Sequence, residues 1–102
     1  MDEPLSNGEA RKLLTRCLDE GEVSWSAHAL VEMAKDNLTQ NDVLNILERG
    51  WMYGERPAEL EHGSWRYQFN TQRMSAVVAF DEDDDDDGTV IATVVTAWRI
   101  RR

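Results

Sequence analysis

Apolar residues recur at helical spacing in the first half of the chain. The first helix is predicted to begin after Ser6 or Asn7, either of which can cap it, and to end before Gly21. Within this helix the apolar residues are three and four positions apart and form one stripe, which consists of Leu14, Cys17 and Leu18. The spacing predicts a helix that packs by a single side.

Two further helices are predicted before Gly50. The second follows a short extended segment, Val23–Trp25, and Ser26 is its expected cap. Its predicted buried side consists of Ala27, Leu30, Val31 and Ala34. The third helix begins with a capping arrangement in which Asp42 follows Thr39 by three residues, and it ends at the glycine. Its predicted buried stripe consists of Val43, Leu44 and Leu47.

After Trp51 the apolar residues alternate with a period of two, which is typical of strands. In one strand the aromatic residues are predicted to face the helices: Trp65, Tyr67 and Phe69. A turn at residues 70–72 leads into strand 74–80, and a last strand covers residues 89–99. Both of these are apolar on both sides, so we expect them to be central, with residues 51–61 supplying an edge. The prediction is an α+β fold with N-terminal helices packed on a small C-terminal antiparallel sheet.

The length and composition predict a single domain over residues 1–102. The chain has 41% hydrophobic residues, enough for one core without a metal or disulfides. Its expected parts are an N-terminal helix at 1–21, a helical pair at 22–50 and the sheet region at 51–102. We predict a cytoplasmic protein without a membrane partner. Cys17 has no second cysteine to pair with, and the sequence shows neither a long apolar run nor the features of a signal peptide.

The net charge of −9 is concentrated in one run, residues 81–87, which holds seven of the 20 acidic residues. The rest of the chain has 13 acidic and 11 basic residues and is nearly neutral. Such a run is typical of a solvated, self-repelling loop, and a cation site or a site for a basic partner are the alternatives. An EF-hand is excluded because the nearest glycine, Gly88, follows the acids.

The soft metal ligands are too widely spaced to predict a zinc site. They are His28, His62 and Cys17, and none belongs to a closely spaced ligand pair. Cys17 lies on the apolar stripe of the first helix, so we expect it to be a packing residue and not a nucleophile. No phosphate-binding loop or dinucleotide fingerprint is present, and no cofactor is predicted.

One set of polar residues could carry chemistry. It combines His28 near the start of the second helix with Arg66, Tyr67 and Arg73 in the sheet region, and Arg99 closes the last strand. A histidine can act as general acid or base while guanidinium groups neutralise a phosphate, which is what metal-free RNA cleavage requires. The structural alternative is a surface histidine and solvated arginines.

The order of residues adds a resemblance to a known family. The matching segments are Trp25–Met33, Leu38–Val43, Glu48–Gly50, Trp65–Tyr67 and Val94–Thr96. In these segments the chain resembles the domain-of-unknown-function family 4258, from about Val23 to Trp98. The resemblance implies a fold similar to the RelE-type and MqsR-type toxins, which are bacterial ribonucleases of toxin–antitoxin pairs.

The resemblance also implies roles for single residues. His28, Arg66 and Tyr67 take the positions of the family's histidine and of its strand Arg-Tyr pair, while Asp42 and Val43 take structural positions. The chain departs from the family where two family arginines are replaced by acids, Glu32 and Asp36. If those arginines hold RNA, part of the phosphate clamp is missing here.

Two functions follow from these observations. The first is a toxin-like, metal-independent endoribonuclease that acts on RNA and pairs with an antitoxin. In this function His28 is the general acid or base, and Arg66 and Arg73 bind phosphate. Tyr67 stacks on a base or donates a hydrogen bond. It predicts that the histidine and both arginines converge in one positive patch. The second is a non-catalytic acidic interaction module, an inhibitor or accessory subunit, that binds a basic protein. A purely structural role is the third alternative.

Overall fold

The computed structural model describes residues 2–52, 59–61, 63–82 and 88–101. In this part of the chain the elements are, in order, α1 Asn7–Glu20, β1 Val23–Trp25, α2 Ala27–Lys35, α3 Gln40–Arg49, β2 Glu59–Glu61, β3 Ser64–Asn70, β4 Met74–Glu82 and β5 Val90–Arg99. The α+β class, with helices first and the sheet after them, is confirmed.

Local capping fixes the helix boundaries close to where the sequence predicts them. At the start of α1 the Glu9 N–H donates to the Ser6 hydroxyl (3.2 Å) and the Ser6 N–H donates to the Glu9 carboxylate (3.1 Å). The start of α3 repeats this capping box with Thr39 and Asp42. Gly21 ends α1 with a left-handed φ of 71°, a conformation that glycine adopts without strain.

The capping carboxylates predict a loss of stability in acid. The Ser6 N–H donates to the Glu9 carboxylate, and the Thr39 N–H donates to the Asp42 carboxylate. Each of these backbone donors lowers the pKa of the carboxyl group that accepts from it. A lowered folded-state pKa adds stability that is present above the unfolded-state pKa and is lost as pH falls through the folded-state value. We therefore expect the thermal unfolding midpoint to fall as pH drops below about 4.

The matched variants for this pH prediction are Asp42→Asn and Asp19→Asn. The first removes a capping carboxylate and should flatten the acid limb of a plot of unfolding midpoint against pH. The second removes an exposed carboxylate of α1 and should leave that limb unchanged. Parallel acid limbs for the natural chain and Asp42→Asn would contradict the assignment.

The sheet has the strand order β1-β5-β4-β3-β2. The pairs β2–β3, β3–β4 and β4–β5 are antiparallel, and β4 and β5 are central with β2 at an edge, as predicted. The antiparallel prediction is incomplete, because β1 pairs parallel to β5 and makes the sheet mixed. A segment of three residues has too short a pattern to reveal a pairing with a strand some 70 positions later.

The two sides of the sheet differ in what covers them. The helix side carries the core, including Tyr67, Phe69, Val78, Phe80 and Val94, which pack with residues of all three helices. The other side, here called the open face, carries the alternate residues of the strands: Ser64, Arg66, Gln68 and Asn70 of β3, Ser75, Val77, Ala79 and Asp81 of β4, and Ile91, Thr93, Thr96 and Trp98 of β5. Among the described residues, no helix packs on the open face.

The orientation of α2 differs from the prediction. The residues expected to be buried are all exposed, namely Ala27, Leu30, Val31 and Ala34, whereas Ala29 and Met33 enter the core. The reason is that α2 follows β1 directly and continues along the edge of β5, where the Ser26 N–H donates to the Val94 carbonyl (3.0 Å). Because α2 is apolar on most of its circumference, its sequence contains two stripes, and periodicity alone selects the wrong one.

The remaining stripes are largely as predicted. Leu14 and Cys17 of α1 and Val43 and Leu47 of α3 are buried, and Ile46 is a core residue that the prediction omitted. In the described part of the chain no helix is both long and apolar enough to cross a membrane.

Candidate functional site

His28 lies in the first turn of α2 and is exposed to solvent. The turn is held by Ser26, whose hydroxyl accepts from the Ala29 N–H (2.9 Å) and donates to the Val95 carbonyl (3.0 Å). This places the histidine at the edge of β5. The strand that carries Arg66 is separated from that edge by β4 and β5, which corresponds to about 10 Å or more across the sheet.

Arg66 and Tyr67 lie on opposite sides of the sheet. Arg66 is on the open face, where its Nε donates to the Ser64 hydroxyl (3.2 Å). Tyr67 is buried on the helix side, and its hydroxyl donates to the Glu3 carboxylate (2.6 Å) and accepts from the Leu5 N–H (3.0 Å). Burial, followed by the hydrogen bond to Glu3, raises the pKa of the tyrosine. Tyr67 thus anchors the segment before α1 and presents no ring surface to a ligand on the open face.

Arg73 lies beyond the end of β3, in the turn before β4, and is exposed. Its carbonyl accepts from the Ile100 N–H (2.7 Å). Arg66 precedes the last residue of β3, Asn70, by four positions, so the two arginines are more than about 13 Å apart along the strand direction. The backbone of Arg66 is therefore set apart both from that of His28, across the sheet, and from that of Arg73, along the strand.

The arginine that closes β5 has a structural role. The Nε of Arg99 donates to the Asp36 carbonyl (2.7 Å), and its Nη2 donates to the Asn37 carbonyl (3.2 Å), so it caps the end of α2. In return, the Asp36 carboxylate accepts from the Arg99 N–H (2.8 Å) and from Arg101 Nη2 (2.6 Å). The backbone donor, together with the charge of Arg101, lowers the pKa of Asp36.

The two acids at which the sequence departs from the expected family pattern, Glu32 and Asp36, have partners of their own. Asp36 joins the end of α2 to the end of β5, and Glu32 pairs with Lys35 (3.1 Å) on the same helix. The anchoring role of Asp36 is not predictable from the sequence, where both acids look like lost cations, because its partners lie more than 60 positions away. No local spacing could have indicated that role.

The open face has a layered composition. At one end, the Asn70 amide oxygen accepts from Ser75 Oγ (2.7 Å) and from Gln68 Nε2 (2.9 Å), while Asn70 Nδ2 donates to the Trp51 carbonyl (3.3 Å). The middle and flank hold half-buried apolar or partly apolar side chains: Val77, Ile91, Thr96 and Trp98. Asn70 and Ser75 are themselves buried (1% and 2% exposed), so this face offers a partner mainly half-buried apolar area, which suits binding better than proton transfer.

The opposite end of the open face is acidic. Tyr67 of β3 pairs with Val78 of β4, so continuing this register places Ser64 opposite Asp81. On its other side, Asp81 pairs with Ile91 of β5. Glu61 pairs with Ser64 from β2. The resulting row, here called the acidic row, contains Glu61, Ser64, Asp81 and Ile91, and Asp81 accepts from the Thr93 hydroxyl (3.2 Å). Residues 83–87 of the predicted acidic loop lie outside the described residues.

Metal and thiol chemistry find little support in the described residues. Across the described ranges, no group of three or more His, Cys, Asp or Glu side chains is arranged to hold a metal ion; His62 lies outside them. Cys17 is buried, its Sγ donates to the Val90 carbonyl (3.4 Å), and burial raises the pKa of its thiol. These are the surroundings of a packing residue.

The comparisons with known proteins give one match. Residues 25–99 match the family model described as Domain of unknown function (DUF4258). The matched region begins at the end of β1 and ends with β5, so it includes α2, α3 and both central strands. No curated protein and no solved structure matches the chain.

Proposed function

Since the chain belongs to the domain-of-unknown-function family 4258, its activity has to be inferred from its own surface, and we propose that it is a non-catalytic module that binds a basic protein segment on the open face. The observation that carries this proposal is that one whole side of the sheet has no helix on it in the described part of the chain, and that this side ends in the acidic row. A cytoplasmic location is part of the proposal.

The apolar part of the open face supplies the area that a partner needs. Trp98, Val77 and Thr96 lie side by side on the two central strands, because Val77 pairs with Thr96 and Ser75 pairs with Trp98. Aromatic and β-branched side chains on a rigid sheet are already ordered, so a partner that covers them loses little conformational freedom on their account. Tryptophan is also a frequent anchor of protein interfaces.

The acidic row supplies the charge preference. Glu61 and Asp81 are exposed, two acids near one open-face cation, Arg66, and the chain as a whole has a net charge of −9. A segment with lysine or arginine gains from this field, whereas the phosphates of RNA are repelled by it. The proposed partner is therefore a protein segment in which basic residues accompany apolar ones.

A designed peptide tests the charge preference. The probe is a 10-residue peptide of alternating lysine and valine, which has the length of β5. We expect its affinity to fall when salt is raised from about 0.05 M to about 0.5 M, because the interaction is between opposite charges. The double variant Glu61→Gln/Asp81→Asn should weaken binding about three- to tenfold, as expected for two exposed charge contacts.

The matched control removes the same charge from the helix layer. Asp19→Asn/Glu48→Gln alters exposed residues of α1 and α3, and it should bind the peptide like the natural chain. Calorimetric titration of the natural chain and of both double variants gives the comparison. Equal weakening by the two double variants would mean that net charge alone determines the affinity for the peptide. That result would overturn the placement of the site on the open face.

The toxin-like ribonuclease is the second candidate, and it is favoured by the exposure of His28 and by the position of Arg66 on the open face. Its direct test is incubation of RNA with the natural chain, His28→Ala and Arg66→Ala in the presence of a metal chelator. Because the backbone positions of His28 and Arg66 lie about two strand spacings apart, we expect no cleavage that depends on either. Cleavage by the natural chain that both variants lose would replace the binding proposal with the catalytic one, with RNA as substrate and an antitoxin as partner.

A further inference from the structure

The charge of the open face changes sign along the strands. The acidic row closes one end, and three arginines lie at the other, here called the arginine end: Arg73, Arg99 and Arg101. Arg73 precedes β4, and its carbonyl accepts from the Ile100 N–H (2.7 Å). Because Ile100 stands between the other two arginines in the chain, the backbones of all three are neighbours.

Arg73 is the cation of the arginine end that a partner can reach. The other two, Arg99 and Arg101, are engaged by Asp36 at the end of α2. Arg73 is exposed, and among the described residues its guanidinium group has no hydrogen-bond or ion-pair partner. Met74 packs against the core, so continued strand alternation directs the residue before it to the open face. Arg73 therefore places a positive charge on the face whose other end is acidic.

The two charged ends are far enough apart to act separately. Asp81 follows Arg73 by eight positions, most of them in β4, which corresponds to about 26 Å between the two backbones. Exposed charges are largely screened from each other beyond about 8 Å at physiological salt. Outside residues 81–87 the chain has 13 acidic and 11 basic residues, so its body repels a carboxylate only weakly. A carboxylate beside Arg73 is therefore attracted by that arginine.

We infer that the protein segment bound by the open face is itself bipolar, with a basic residue over the acidic row and a carboxylate over Arg73; this inference rests on the proposed function. Between these ends, apolar side chains of the segment contact Val77, Thr96 and Trp98. An extended segment of about nine residues spans the same distance as β4 does. The opposite charges also fix its orientation, because a reversed segment would set like charges against each other at both ends.

Two peptides of about nine residues with blocked termini measure the contribution of the carboxylate. Both begin with lysine, carry valine at every second position after it and have threonine between, so that one side of the extended peptide is presented to the sheet. One peptide ends in glutamate and the other in glutamine. We expect the glutamate peptide to bind the natural chain about two- to fivefold more tightly in calorimetric titration at low salt, since it adds one exposed charge contact.

The variant Arg73→Gln locates this contact. It should bind both peptides with equal affinity, because the cation that distinguishes glutamate from glutamine is gone. The matched control, Lys12→Gln, removes an exposed cation of α1 and should keep the preference for glutamate. Neither substitution removes a buried side chain, and circular dichroism checks that both variants fold.

The outcomes separate this inference from the proposed function. If the natural chain binds both peptides equally and Glu61→Gln/Asp81→Asn weakens both, the open face binds basic segments and the bipolar assignment is wrong. A glutamate preference that persists in Arg73→Gln, or that Lys12→Gln loses as well, would also overturn the assignment. Binding of neither peptide would contradict the proposed function, and the inference would fall with it.

Discussion

Replacement of Gly50 by alanine is expected to lower the free energy of unfolding by about 2–3 kcal/mol. Gly50 ends α3 and adjoins the last residue of β3, and a Cβ atom there would clash with the Ile46 carbonyl oxygen and lie 2.9 Å from the Asn70 carbonyl oxygen. Both carbonyl oxygens belong to the backbone and are held in place by hydrogen bonds, so neither can move away from the added Cβ atom. Urea denaturation of the natural chain and of Gly50→Ala measures the difference.

Gly8→Ala is the matched control for this substitution. Gly8 lies in the first turn of α1, and a Cβ atom there would meet nothing within 4 Å. Alanine has the higher helix propensity, so the control should be neutral or stabilising by up to about 1 kcal/mol. If Gly50→Ala proves as stable as Gly8→Ala, the close approach of α3 to β3 described here is incorrect.

Arg11→Met is the second substitution with a large expected effect, a loss of about 2–4 kcal/mol. Its guanidinium group donates to the carbonyls of Leu47 and Gly50, both at 2.5 Å, and lies 4.8 Å from the centre of the Phe69 ring. Partial burial lowers the pKa of this arginine. Methionine retains an apolar stem but leaves the last carbonyls of α3 without their donor.

Arg16→Met provides the comparison on the same helix. Arg16 is 53% exposed, its Nε lies 3.8 Å from a Glu20 carboxylate oxygen, and its Nη2 donates to the Gly88 carbonyl at the surface (3.3 Å), so its loss should change the unfolding free energy by less than about 1 kcal/mol. Urea denaturation compares the two variants under identical conditions. Similar effects would mean that Arg11 does not join α1 to the end of α3.

Both large effects concern contacts that no pattern in the sequence predicts. Helix boundaries were predicted well because capping boxes and Gly21 act within a few residues. The orientation of α2 was predicted wrongly because both candidate stripes have helical spacing, and only the pairing of β1 with β5 selects between them. The choice therefore depends on a contact between distant segments.

The predicted site shows the same limit. The partner of the Tyr67 hydroxyl, Glu3, is 64 positions away, and the partner of Asp36, the Arg99 N–H, is 63 positions away. Such partners become visible only in the folded chain. The separation of Arg66 from Tyr67, by contrast, follows from strand alternation itself, because neighbouring residues point to opposite sides of a sheet. The resemblance pairs Arg66 with Tyr67 in one proposed site, but strand alternation keeps the two side chains on different surfaces.

The family resemblance was confirmed over residues 25–99, whereas the roles that it implies for His28, Arg66, Tyr67 and Arg73 stay predictions. The proposed binding function rests on the open face, which is seen only in the fold. The most direct test of that function is an amide NMR titration of the full chain with the lysine-valine peptide. The proposal predicts shift changes concentrated at residues of the open face, such as Val77, Thr96 and Trp98, and at the acidic row. Changes confined to α1 and α3, or none at all, would contradict it.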